Sequence, residues 1–178
     1  VTPDGSTVYA AAFMSGNRTT TLHRDALGNA KPGISRSTDN VAQPGTGLIV
    51  KFDGAAWRDE AGTDWSAKVK FSLPDFDVFA IDANAATPRV TNQISGVGTT
   101  LFNMAVHPSN GNLLVSNTDA INQVRFEGSG TRASTVRGRI AESRISVVNP
   151  QSGAVEAVHL NPHVDFAASV PPTAGEKA

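Results

Sequence analysis

The chain has 178 residues, 39% of them hydrophobic, with 16 glycines and a net charge of -1. That size suits one ordinary domain with a buried core, and the composition excludes disorder as the default state. A near-neutral balance argues against a dedicated nucleic-acid binder, and the lack of cysteine excludes disulfides, thiolate metal sites and CxxCH haem attachment within these residues.

In chain order, Pro3-Asp4-Gly5 marks a turn leading into a short apolar strand and a second turn that reaches Asn17. An insertion of about 23–77 follows, and then the strand Val78 to Asp82, a turn, and the strand Arg89 to Ile94. The pattern then returns. At a constant offset of 105, Pro3 falls on Pro108, Val8 on Leu113, Tyr9 on Leu114 and Asn17 on Asn122. At an offset of 67, Val78 to Asp82 falls on Ile145 to Asn149, followed by a Gln151-Ser152-Gly153 turn and the strand Val155 to Leu160. The expectation is two blade units of four strands each, covering 1–98 and 99–166, with a linker or tail at 167–178 rich in Pro and Gly. Val1 falls inside a strand motif, so a longer natural chain is expected. Nothing reads as a bilayer-spanning helix or a signal peptide.

Repeats of four short strands are the signature of propeller blades, which stack radially to cover their faces. The stretches Pro3 to Ala12, Pro108 to Asn117, Val78 to Asp82 and Ile145 to Asn149 resemble the YVTN-type repeat of bacterial seven-bladed β-propellers. SGNRTT, LPDFDVFAID, NTDAINQVRFEG and VRGRIAESRISVV are similar to the subset found in large exported proteins, some joined to c-type cytochrome modules. The resemblance implies an all-β propeller segment of about two blades, the rest of the ring coming from elsewhere in a parent protein. It further implies a periplasmic or cell-surface location, with no cofactor in this chain and haem only elsewhere in the parent.

Four histidines, His23, His107, His159 and His163, raise the question of a metal. His159 and His163 are four apart, which would align them on a helix, but Pro162 and the preceding strand pattern oppose one, so turn histidines are expected. Asn117, Asp119 and Asn122 offer oxygen ligands of the kind calcium takes, without the glycine and distal glutamate of an EF-hand loop; Asx turns explain them more simply. Ser15 sits in no G-x-S-x-G elbow, and a turn is the expected role. Asn17-Arg18-Thr19 fits an N-glycosylation acceptor, which matters only in a eukaryotic secretory route.

Charge is unevenly distributed. From Asp53 to Asp82 seven acids face three bases, a net of -4, whereas from Arg125 to Arg144 five arginines (Arg125, Arg132, Arg137, Arg139, Arg144) face two acids, a net of +3. Either these are solvated loop charges, or the arginines pair with the acidic insertion or a docked protein partner. Trp57 and Trp65 flank an acidic loop and either pin the insertion to the blade side, the favoured reading, or stack on a sugar. The functional expectation is a non-enzymatic binding or docking scaffold that contacts partners through its insertions. The alternative is a lactonase-like or cytochrome-associated redox propeller whose catalytic or haem groups lie outside this chain.

Overall fold

The computed structural model describes residues 1–30, 39–41, 47–122, 140–164 and 175. Among these the fold is all-β: ten strands in three small antiparallel sheets, with two short 3-10 turns and no α-helix. In chain order the strands are β1 (Thr7–Ala11), β2 (Thr19–Leu22), β3 (Leu48–Phe52), β4 (Trp57–Arg58), β5 (Val78–Asp82), β6 (Arg89–Ile94), β7 (Thr100–Val106), β8 (Leu113–Ala120), β9 (Ala141–Val148) and β10 (Val155–His159). No described helix is long and apolar enough to cross a membrane.

The sequence repeat is a structural repeat. β1 pairs with β5 so that Val8 faces Ile81, Tyr9 faces Ala80 and Ala11 faces Val78. β8 pairs with β9 so that Leu113 faces Val148, Leu114 faces Val147 and Ser116 faces Ile145. Adding 105 to the first strand and 67 to the second converts one register into the other, with no slip. β10-β9-β8-β7 is a four-stranded meander, whereas the first unit has three strands, β1-β5-β6. The expected fourth strand of the first unit is absent from the described residues. Residues 1–6 instead form the turn that caps β1, closed by bonds from Gly5 N–H to Thr2 O and from Thr2 N–H to Thr7 O, both 2.9 Å.

The two sheets read as strands for the expected reason. In β8, Leu113, Val115 and Asn117 are buried while Leu114, Ser116 and Thr118 are half-buried, the two-residue period of a strand. The turn 107–112 and the turn 149–154 are built alike. His107 Nδ1 and Asn149 Oδ1 accept backbone N–H groups two residues on, and Gly111 and Gly153 close the loops at φ 72° and 75°, where a side chain would be strained. The two sheets pack face to face through Val78, Ile94, Val97, Leu101, Leu113, Val115 and Val148. Burying each such side chain is worth about 1.5–3 kcal/mol.

The described part of the insertion has secondary structure of its own. β2-β3-β4 form a third sheet, with a separate core of Leu22, Leu27, Leu48, Val50 and Trp65. Trp65 is 8% exposed, and its Nε1 donates to Asp59 Oδ2 at 2.9 Å. It therefore holds the insertion to itself and not, as the sequence favoured, to the side of a blade. Residues 165–174 and 176–178, in which the tail was expected, lie outside the described residues.

Candidate binding cleft

The insertion leaves and re-enters the first sheet at the ends of β1 and β5, the same edge from which β8 and β9 extend. Four stretches meet there: 12–18 after β1, 73–77 before β5, the crossover Ser95 to Thr99, and the end of β8. The crossover carries the chain from one sheet to the next and is gripped by both. Asp77 Oδ2 accepts the Val97 N–H at 2.6 Å, while the Val97 carbonyl accepts Ser146 Oγ at 2.8 Å and Arg144 Nη2 at 3.0 Å. Gly98 leaves room for Asn117: a Cβ at Gly98 would stand 2.9 Å from that side chain's own Cβ.

Asp77 is fully buried, and burial pushes its carboxyl above the usual range. The charge of Asp75 pushes the same way, while hydrogen bonds from Ser15, Val97 and Gly98 oppose the shift. Ser15 Oγ donates to Asp77 Oδ1, so the hydroxyl that raised a nucleophile question fastens the corner. Asn17 Nδ2 donates to Asn122 Oδ1 at 3.0 Å and to the Ala120 carbonyl at 2.9 Å. The two corner asparagines aligned across the repeat therefore touch each other.

Asp75 lies one turn of extended chain before Asp77. Its Oδ2 accepts Arg18 Nε at 2.9 Å and the Gly96 N–H at 3.2 Å, while its buried Oδ1 has no hydrogen-bond partner. The side chain is 10% exposed against 37% for Arg18. Arg18 itself holds φ at 58°, in the left-handed region that a side chain occupies only at a cost. Its guanidinium lies over Gly96, where a Cβ would meet Nη2 at 2.7 Å.

Two adjoining cavities open around this pair. The smaller, about 140 Å³, is lined by Asn17, Arg18, Lys51, Phe52, Asp75 and Asp119 among others. The larger, about 450 Å³, is lined by Arg18, Phe52, Trp57, Leu73, Asp75 and Phe76 with two serines. Phe52 and Trp57 are cross-strand partners with ring centroids 5.5 Å apart, tilted at 43°. Together they form a cleft between the inserted sheet and the sheet ends, with aromatic walls and paired charges. Its larger part falls within the roughly 300–1,000 Å³ typical of small-ligand sites.

The residues singled out from sequence are dispersed around this cleft. Trp57 lines it; Trp65 does not. Arg144 is 12% exposed and committed inside the fold, donating to Asp119 Oδ2 at 3.0 Å as well as to Val97 and Asn117. It pairs with an acid of β8 and not with the acidic insertion. Arg125, Arg132, Arg137 and Arg139 lie outside the described residues. Asp119 also faces Lys51 at 3.8 Å, so two cations stand where a calcium ion would need to be. Asn117 Nδ2 is held by the Val115 carbonyl and Ser146, and Asn122 by Asn17 and Thr19. His159 ends β10, its Nδ1 accepting the Asn161 N–H at 2.9 Å, and His163 lies in the turn beyond. No metal-binding group of three such side chains occurs among the described residues.

Arg18, Asp75, Asp77, Lys51 and Phe76 were not singled out by sequence reasoning. The signal was available in Asp75-Phe76-Asp77-Val78, whose alternation puts both carboxylates on one side of an extended segment. No protein-family model matches the chain, and no curated protein and no solved structure is significantly similar to it.

Proposed function

We propose that the chain is a non-enzymatic binding scaffold, two neighbouring blades of a β-propeller of the YVTN type, with contacts made through the insertion. The observation that carries this reading is the cleft itself: an insertion with its own sheet and core, seated on the strand ends and enclosing a cavity with aromatic walls. The way the sheets converge supports the blade arrangement. On the inner side the chain leaving β1 bonds backbone to backbone with β7, Leu101 N–H to Phe13 O at 2.9 Å, and the equivalent Asn17 and Asn122 touch. On the outer strands the link is a side chain, Asn92 Nδ2 to the Pro150 carbonyl. Equivalent points of two rotated copies approach each other only near the axis that relates them, so this convergence suits a wedge packed around a hub.

As part of an exported bacterial protein, such a segment would display the insertion at one end of the ring, where variation leaves the sheets intact. The test replaces residues 19–72 with a short Gly-Ser turn. Ligands selected from glycan and peptide arrays on the intact chain should lose binding to this variant. Ligands that bind both forms equally would move the contact surface to the blades and overturn the reading.

A further inference from the structure

We propose that the cleft between the inserted sheet and the sheet ends is a site for a neutral saccharide, gripped by Arg18, which Asp75 holds in place, and stacked on Trp57. The inference rests on the reading of the insertion as the contact surface, and names what it contacts. Three observations converge. The charges that line the cavities are two of each sign, Arg18 with Asp75 at 2.9 Å and Lys51 at 3.8 Å from Asp119, which also holds Arg144, so a strongly ionic ligand meets no large surplus of either sign. The walls carry Phe52, Trp57 and Phe76, whose ring faces suit the C–H face of a sugar.

The third observation is the donor set that Arg18 has left over. Asp75 lines both cavities, is nine-tenths buried and holds Arg18 Nε through Oδ2 at 2.9 Å. The carboxylate thereby fixes a guanidinium that lines the same two cavities, so the ordering of that side chain is met before a ligand arrives. Arg18 uses Nε on Asp75, and its terminal nitrogens bond no other described residue, which leaves them to donate to ligand hydroxyls. A vicinal diol supplies two acceptor oxygens side by side, matching the two terminal nitrogens. The left-handed backbone of Arg18 fits this role: a strained residue is retained where its side chain must reach a fixed place.

The test uses the full 178-residue chain carrying 5-fluorotryptophan, so that two fluorine resonances report Trp57 in the cleft and Trp65 in the insertion core. Trp57→Phe assigns them. The probes are hexasaccharides of β-1,4-glucose, β-1,4-N-acetylglucosamine and α-1,4-glucose, with an uncharged dodecapeptide as a separate arm. At least one hexasaccharide should shift the Trp57 resonance saturably and leave Trp65 in place. Asp75→Asn and Arg18→Gly should each weaken that binding at least tenfold with the Trp65 resonance unmoved, and each decides the matter should the other lose the folded Trp65 signal. A Trp57 resonance that no hexasaccharide moves in the folded chain, or that only the peptide moves, overturns the saccharide assignment. Hexasaccharide binding seen by saturation transfer that leaves Trp57 unmoved would instead overturn the reading of the insertion as the contact surface.

Discussion

Asp77 shows how one buried acid can fasten two sheets and still cost stability at neutral pH. Its folded pKa is raised above 3.8 by burial, so the native state holds the proton more tightly than the unfolded chain. That contribution is complete below the unfolded value and is lost as pH rises through the raised folded value. Asp77→Asn keeps an acceptor for the Val97 N–H without the charge, so urea unfolding should show a variant that gains on the native chain between pH 4 and pH 7. Asp77→Ala should lose about 1–3 kcal/mol, because the Val97 N–H is left buried and unpaired. Asp53 runs the other way: N–H groups of Ala56 and Ala55 and then Arg58 hold its carboxyl down at about 2, so its contribution is present above 3.8 and lost as pH falls toward 2. Arg18→Gly relieves left-handed strain of about 1–3 kcal/mol but leaves the nine-tenths-buried Asp75 with only the Gly96 N–H, a cost of similar size. Thermal unfolding should find the two effects close to cancelling, a change of at most about 2 kcal/mol either way.

The crossover from β6 to β7 is where packing leaves least room. Gly98→Ala would press a Cβ against Asn117, itself held by Val115 and Ser146, and should cost about 1–3 kcal/mol in urea unfolding. Gly16→Ala, which meets only the Pro74 carbonyl at 3.9 Å and the Leu73 Cβ at 4.0 Å, should be tolerated. The contrast separates crowding at the crossover from a general intolerance of added methyls. The elements themselves were legible to different degrees. β1, β5, β8 and β9 could be read because Pro, Asn, Asp and Gly bracket them twice with matching spacing. The third sheet could not, because β2 ends at Leu22 and β3 begins at Leu48, and no local turn signal spans such a gap to declare the pairing. The cleft was legible only through Trp57. Its polar grip depends on Arg18 and Asp75, 57 residues apart, which meet because sheets they do not belong to bring the insertion's two ends together.

Both sheets of the repeat carry apolar residues on two faces, and among the described residues only one face of each is covered. Outside the shared core, Val8, Ile81 and Val90 lie on one outer face, and Leu114, Ile145, Val147 and Val158 on the other, with Val90, Ile145 and Val158 exposed. Sheets patterned this way are made to be sandwiched, as blades are by their neighbours, and an uncovered pair should seek cover by association. Val147 and Leu114, facing each other across β8 and β9, sit too near the centre of that face for edge charges to shield them. The most direct test is the mass of the 178-residue chain by size-exclusion chromatography with light scattering across a range of concentrations. The proposed pair of stacked blades, with its outer faces open, predicts concentration-dependent association beyond the monomer, whereas a monodisperse monomer that melts in one sharp cooperative step would show the faces need no neighbours and contradict the proposed propeller arrangement.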